Sequence, residues 1–260
     1  MTFKDINVPL RTDNDFQANT NFLTEVSKGQ VVGHSLVQKI GLLPSLSSGE
    51  NGTVWSGGGT VAFPEVSGPI SFVSTSPLDT AAGTGARTLA FTALTDTYSR
   101  AVTPVVTLNG TTPVVVTGPY LRINRMTVAS AGSGGLNVGT ITGTIGGVVV
   151  FHCPPGINSA LSTSGSTSLG VTAFILQMKV NAYPLSGPGG PVTVTFWTRP
   201  VGNTWQISDL ATCRGDGSPA LLTYESPIKI VDKSDVYVQA ESTANNMKVF
   251  VRYDLLAVSA

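Results

Sequence analysis

The chain is poor in charged residues, cysteine and histidine. Charged side chains make up 12% of the 260 residues, whereas about 25% is usual in a soluble domain. The 15 basic and 15 acidic residues cancel, so the net charge favours neither nucleic acid nor a membrane surface as a partner. From Met126 to Met178 there is no charged residue at all.

The uncharged segment 126–178 could cross a membrane, be disordered or lie against other protein. Its longest purely apolar runs, Val148–Phe151 and Ala173–Leu176, are far shorter than the ~20 residues of a membrane helix. Its Val, Ile and Leu residues recur too often for a disordered segment. We therefore expect it to lie against other protein, inside the fold or at a subunit contact, where charge is depleted; an uncharged solvent-facing surface is the other possibility.

Cysteine usage and the N-terminus bear on where the chain is made. Cys153 and Cys213 are too few for a disulfide framework and lack metal-ligand spacing. The first residues, MTFKDINVPLRTDNDF, have no apolar core behind the first basic residue, unlike a signal peptide. We expect synthesis in a reducing, intracellular compartment.

The pattern of the chain predicts an all-β protein with one short N-terminal helix. Residues 14–28 have a partial apolar face and are followed by Gly29, which predicts a helix ending there. From Gly49 onward, β-branched runs alternate with turn signals every 8–12 residues or so, as in antiparallel sandwiches and barrels. Asn109-Gly110 predicts a type I′ hairpin, Gly118-Pro119 a turn, and Thr60–Phe63 a strand.

The domain organisation that follows has three parts. Residues 1–48 form an N-terminal arm, 49–153 a first antiparallel β-sandwich or jelly-roll-like module, and 154–260 a second one. One continuous, larger sandwich would produce a similar sequence pattern. The arm either reaches across to a neighbouring subunit or packs on its own body.

Residue types that carry chemistry are present, but their spacing predicts no catalytic, cofactor-binding or metal site. Gly33-His34-Ser35 lacks the second glycine of a nucleophile elbow. His152 and Cys153 are adjacent, so they point to opposite faces of a strand. The carboxylates are scattered, without the pairing a glycosidase needs. Arg214–Asp216 matches a cell-adhesion tripeptide and is interpreted as a turn.

Two further features have a structural and a functional interpretation. Trp55, Trp197 and Trp205 could form a sugar-binding platform, but we favour core or contact packing. The small-residue stretch Asp79–Thr88 (DTAAGTGART) is typical of a tight turn close to another backbone. We expect Asp79 to pair with Arg87 across its base.

Several stretches together resemble a known family. They are FLTEVSKGQVVGHSLVQKIGLLPSL (22–46), VWSGGG (54–59), STSPLDTAAGTGARTLAFTAL (74–94), VTLNGTTPVVVTGPYLRINRMTVASAGSGGLNVGTIT (106–142), FWTRPVGNTWQI (196–207), SPIKIVDKSDVYVQAES (226–242) and VRYDLLAV (251–258). The combination is similar to the β-rich virion structural proteins of tailed bacteriophages, marine ones in particular, with relatives in large algal viruses.

This resemblance implies a component of the virion, made in the host cytoplasm, without enzyme activity or cofactor. The expected role is an accessory capsid or head protein, a decoration or minor capsid component, that self-assembles and binds the shell. Its partners would be copies of itself and other virion proteins, with no direct contact to nucleic acid or membrane. The alternative is a tail- or fibre-associated β-sandwich that binds a receptor or carbohydrate.

Overall fold

The computed structural model describes residues 18–259, and it begins with a single short helix, α1 (Ala18–Ser27). Gly29, two residues past the end of the helix, has a φ of 73°, and the amides of Gly29 and Gln30 donate to the carbonyls of Val26 and Glu25. Gly29 therefore ends the helix as the sequence predicts; residues 14–17 of the predicted helix lie outside the described residues. Within residues 18–259, no helix is long and apolar enough to cross a membrane.

The rest of the described chain is built from antiparallel strands, which confirms the predicted all-β fold class. The strands are β1 (His34–Leu46), β2 (Asn51–Thr53), β3 (Gly68–Ser74), β4 (Ala86–Thr95), β5 (Val106–Thr107), β6 (Val114–Ala131), β7 (Ile141–Ile145), β8 (Val148–Cys153), β9 (Gly165–Ser166), β10 (Val171–Pro184), β11 (Val192–Pro200), β12 (Gln206–Cys213), β13 (Ala220–Ile230), β14 (Ser234–Ser242) and β15 (Met247–Ser259).

The C-terminal half forms a two-sheet sandwich. One sheet has the order β1-β15-β10-β13, and the other has the order β12-β11-β14-β2, with β9 paired to β14. Alternating residues of both sheets meet in one core, in which the ring of Phe196 packs edge-on against Tyr253 at 5.4 Å. This alternation is the one that the sequence VTVTFWTR predicts for β11.

Strand β1 joins this C-terminal sandwich, although it belongs to the segment 1–48 that the sequence assigned to an arm. It pairs along its length with β15, from His34 opposite Val258 to Leu46 opposite Met247. Leu43 and Leu46 are buried in the sandwich core. The boundary predicted at residue 48 thus falls inside a packed module, because the partner strand of β1 lies some two hundred residues further along the chain.

The first module is one curved sheet with the order β5-β4-β6-β3-β7-β8. The pairing of β4 with β6 shifts register at four places, and such bulges bend and twist strands. The inward side chains form a second core, in which Phe72 and Phe91 contact at 5.2 Å. This sheet spans residues 68–153, whereas the sequence predicted a sandwich over 49–153; β2, which lies in that predicted range, pairs with β14 of the other module.

Three local predictions between residues 60 and 119 are wrong, wholly or in part. Gly118-Pro119 does not end a strand but lies inside β6, where the pairing with β3 is interrupted; proline is tolerated at such a bulge. At Asn109-Gly110 a tight turn does form, since the amide of Thr112 donates to the carbonyl of Asn109, but only Gly110 has a positive φ, so the predicted type I′ is wrong. Residues 60–63 are not a strand.

Candidate assembly surface

Three loops meet at one end of the first module, and we call residues 78–86, 132–139 and 154–158 together the loop tip. The amides of Gly132 and Gly134 donate to the carbonyls of Gly85 and Thr84, joining the first two loops. The amide of Gly156 donates to the carbonyl of Asn137, joining the third. The backbone of the loop tip is therefore held by bonds between loops, not only within them.

A buried carboxylate organises the first two loops. Asp79 is fully buried, and its side chain accepts four hydrogen bonds: from Ser74 Oγ at 2.6 Å and from the backbone amides of Ala86, Val138 and Gly139 at 2.7, 2.9 and 2.8 Å. A carboxylate that accepts several backbone amides makes strong, charge-assisted bonds. Asp79 thereby fixes where both loops run.

The predicted pairing of Asp79 with Arg87 is wrong. The carboxylate is occupied by Ser74 and backbone amides, while Arg87 Nε donates to the carbonyl of Gly83 at 3.0 Å. The sequence pattern suggested the pair because the two charges flank the turn. Both carboxylate oxygens of Asp79 already accept hydrogen bonds from Ser74 and three backbone amides, so the guanidinium of Arg87 does not bind there.

The side chain of Asn137 plays the same part for the third loop. Its Oδ1 accepts from the amides of Ile157 and Asn158, at 3.1 and 2.9 Å, and its Nδ2 donates to the carbonyls of Gly139 and Pro154. Both donor and both acceptor positions of this side-chain amide are thus hydrogen-bonded to backbone groups. The side chain is 2% exposed.

Glycine allows the close approach of these loops, as the sequence predicts for Asp79–Thr88. A Cβ atom on Gly85 would collide with the carboxylate of Asp79, and one on Gly132 would collide with the carbonyl of Gly83. Neither glycine has a positive φ. The requirement at both positions is therefore space between neighbouring loops, not backbone angle.

The exposed surface of the loop tip is apolar and carries no formal charge. Four of its side chains, Leu78, Leu136, Val138 and Ile157, are between 42% and 46% exposed. Asp79 is the single charged residue in the three loops, and it is buried. Exposed apolar side chains that are grouped, rigidly held and free of charge are typical of a protein contact.

The outer face of the curved sheet also has an uncharged region. In one row across four strands, Val115 of β6 lies opposite Ser71 of β3, Ser71 opposite Thr144 of β7, and Thr144 opposite Val149 of β8. Neighbouring strands are about 4.8 Å apart, so this row is a continuous band of small, uncharged side chains. None of β3, β7 and β8 contains a charged residue.

A second group of residues, at the junction of the two modules, holds the body together. Asp235 of β14 is 1% exposed and accepts from Arg122 Nε and Nη2 at 2.7 Å each, from Arg199 Nη2 at 2.8 Å and from Ser166 Oγ at 2.6 Å. Arg122 belongs to the first module and Arg199 to the second. This buried ion-pair network therefore crosses the junction.

The partners of Asp235 determine its charge state. Burial alone would raise the pKa of its carboxyl group, but the hydrogen bonds and charge of Arg122, with those of Ser166 and Arg199, outweigh it and hold the pKa below the usual value. Arg122 also donates to the carbonyl of Pro64 and lies over the ring of Phe63. Asp235 is thus ionised wherever the fold is intact at neutral pH.

Sequence reasoning missed the junction network. Arg122 and Asp235 are 113 residues apart, and no local pattern connects them. One signal was available: Arg122 and Arg125 are the only charges between Arg100 and Lys179. Arg122 stands between the apolar residues Leu121 and Ile123, and a charged side chain that is buried is usually paired.

His152 and Cys153 point to opposite faces of β8, as the sequence predicts. Cys153 points into the core, and His152, on the opposite face of β8, contacts Ser56 Oγ and lies 6.4 Å from the ring of Trp55. Burial raises the pKa of the Cys153 thiol to about 12 and lowers that of His152. A thiol with so high a pKa is a poor nucleophile.

The three tryptophans do not form one group. Trp55 is buried beside Gly57 and His152, whereas Trp197 and Trp205 both contact Tyr237, at 6.3 and 4.8 Å between ring centroids. Arg199 lies over the face of Trp205 at 4.7 Å. The half-buried pair Trp197 and Tyr237, nearly parallel at 13°, is the part of this cluster that most resembles a stacking platform.

The cell-adhesion tripeptide is the remaining candidate from the sequence. Arg214–Asp216 forms a bend, and Asp216 Oδ1 accepts from the amide of Ser218. Among residues 18–259, no group of three or more His, Cys, Asp or Glu residues is placed to hold a metal ion.

Comparison with known proteins gives few matches. No protein-family model matches the chain, and no curated protein does. Among solved structures, the Gt strain of infectious bursal disease virus is 11% identical over 87% of this chain and 73% of that chain, with a TM-score of 0.22. The VP2 subviral particle of the same virus is 10% identical over 87% and 76%, with a TM-score of 0.19. Likeness at such low scores carries no argument about this chain.

Proposed function

We propose that the chain is a non-enzymatic structural protein of a virion that assembles through its loop tip. The observation that carries this proposal is the loop tip itself, where four exposed apolar side chains sit on loops fixed by Asp79 and Asn137. A surface that is already rigid loses little conformational freedom on binding. The uncharged band on β3, β6, β7 and β8 offers further contact area beside it.

The finer role within this proposal is an accessory capsid protein, a decoration or minor capsid component of a tailed bacteriophage. The resemblance of stretches such as STSPLDTAAGTGARTLAFTAL to virion proteins supports this assignment, and the same stretch builds the loop tip. Modest apolar contacts become strong when they repeat around a symmetric particle, because each bound copy raises the effective concentration of the others. The proposed partners are copies of this chain and the capsid shell.

The test is the effect of charge at the loop tip on association. We expect the purified protein to sediment as an oligomer or with purified capsid shells. Leu136→Asp combined with Ile157→Asp should weaken that association by more than about tenfold, because a carboxylate at an apolar contact loses water without gaining a partner.

Leu185→Asp is the matched control, because Leu185 is 54% exposed on the loop between β10 and β11, away from the loop tip. It should associate as the wild type does. A wild-type protein that is monomeric and does not bind shells would overturn the proposal, as would equal effects of the tip and control variants.

The alternative function, receptor or carbohydrate binding at a tail or fibre, is supported by the stacked pair Trp197 and Tyr237. Aromatic faces and cationic groups together, here with Arg199 alongside, suit a polar ring-shaped ligand. If this alternative holds, Trp197→Ala abolishes binding to glycan arrays or host cells and leaves assembly unchanged. A Trp197→Ala protein that keeps both ligand binding and assembly would exclude this alternative.

A further inference from the structure

A partly enclosed cavity of about 360 Å³ lies where the two modules meet. Its wall combines side chains of the first module, such as Ile123 and Phe151, with Val37, Leu255 and Ala257 of the second. Ligand sites in proteins commonly lie between modules and start at about 300 Å³. The cavity is thus large enough for a small molecule, and it is not part of the loop tip.

The charged residues that line this cavity are all basic. They are Lys39, Arg100 and Arg125, and no aspartate or glutamate lines it. Arg100 and Arg125 are exposed, whereas Lys39 is recessed on β1. Within residues 18–259, none of the three cations forms an ion pair. The cavity therefore combines apolar walls with unneutralised positive charge.

The ammonium group of Lys39 is held in place by the backbone. Its Nζ donates to the carbonyls of Asn124 and Ser164, at 2.6 Å each, which leaves one of its three protons without a described acceptor. The close packing of Lys39 Cε and Nζ against Gly165 leaves no room for a Cβ there. A desolvated ammonium with an unused proton is a receptor for an anion.

We propose that this cavity binds a small amphipathic carboxylate, such as a medium-chain fatty acid, with its alkyl chain against the apolar wall and its carboxylate on Lys39. Arg100 and Arg125, which also line the cavity and are exposed, attract the anion towards it. The apolar wall selects an alkyl chain over a small polar anion.

Protonation of Lys39 gives this site a pH signature. Burial, and secondarily the charge of Arg125, lower the pKa of Lys39 to about 8. The other titratable groups that line the cavity are Arg100, Arg125 and Tyr253, whose phenol donates to the carbonyl of Thr163; burial raises the pKa of Tyr253 above its usual value. Lys39 is therefore the group that changes charge near pH 8, and the carboxylate binds its protonated form.

The experiment is isothermal titration of the full-length protein with octanoate and, as a neutral match, octanol. We expect octanoate to bind more tightly than octanol at pH 7. Its affinity should then fall by up to about tenfold for each pH unit above 8, while that of octanol does not. Absence of saturable octanoate binding, or affinity that is independent of pH, would overturn the proposal.

Lys39→Met removes the charge and keeps most of the side-chain volume, so it should bind octanoate no better than octanol. Lys179→Met, on the exposed face of β10, is the matched control and should behave as the wild type. A Lys39→Met protein that keeps the preference for octanoate contradicts the proposal. If that variant fails to fold, the pH series on the wild type decides the question by itself.

Discussion

Substitution of Asp235 by asparagine tests whether the ion-pair network at the module junction stabilises the fold. The change keeps the shape of the side chain and removes its charge. The guanidinium groups of Arg122 and Arg199 then lose their shared carboxylate; the Arg122 side chain is 5% exposed, so water cannot replace it. Arg122 retains the carbonyls of Pro64 and Leu121, which are neutral acceptors.

The expected magnitude follows from the burial of both charges. Removing one partner of a buried ion pair costs about 3–5 kcal/mol, because the other charge remains desolvated. Proteins of this size lose roughly 2–4 °C of Tm per kcal/mol, so Asp235→Asn should lower Tm by about 6–20 °C. Differential scanning calorimetry at pH 7 measures this directly.

Glu65→Gln is the matched control, since Glu65 also pairs with Arg199 but its side chain is 74% exposed. An exposed ion pair contributes about 1 kcal/mol at most, so this variant should melt close to the wild type. Equal shifts for Asp235→Asn and Glu65→Gln would refute the reasoning. The pair Arg122→Met with Asp235→Leu should recover much of the loss, because apolar replacement of both partners is often tolerated.

Two further predictions concern the loop tip and the pH dependence of stability. Asp79→Ala should lower the free energy of unfolding, measured by urea denaturation, by about 3 kcal/mol or more, because four donors lose their acceptor. Arg87→Ala loses only the bond to the carbonyl of Gly83 and should lower it by about 1 kcal/mol. Equal losses would restore the idea that the two side chains pair. The pKa of Asp235 is lowered in the fold, so its contribution to stability is complete above the ordinary aspartate pKa of about 3.9 and is lost as the pH falls through the folded value. The Tm difference between wild type and Asp235→Asn should therefore shrink below about pH 4. A difference that stays constant down to acid unfolding would contradict this.

The strands of the second module were predictable because their side chains alternate cleanly. Strand β11 occupies Val192–Pro200, as its sequence VTVTFWTRP predicts. Prediction fell short where Gly118-Pro119 suggested a turn that tertiary pairing overrode: Pro119 lies at a bulge inside β6. Proline is tolerated at such a position, and only the partner strand reveals it.

Long-range contacts account for the other differences between prediction and structure. Strand β1 could not be assigned to the C-terminal sandwich, because its pairing with β15 leaves no local trace in His34–Leu46. The same holds for Lys39, whose acceptors lie on residues 124 and 164. The loop tip was partly predictable, since the glycines of Asp79–Thr88 indicate close approach, but the acceptor role of Asp79 depends on residues 138 and 139.

Three of the charged side chains in this sparsely charged chain lie inside the fold. Asp79, Arg122 and Asp235 are buried, and each fixes backbone or module geometry by hydrogen bonds that a neutral side chain could not replace in number or strength. The uncharged segment 126–178 runs through β7, β8 and the loops beside them, where it packs inside the module and forms most of the loop tip. A contact surface that is neutral outside but held by an ion inside combines easy desolvation with rigidity. If rigidity matters as much as neutrality, Asp79→Ala should weaken assembly even though Asp79 is buried beneath the loop tip, and Arg87→Ala should leave assembly unchanged.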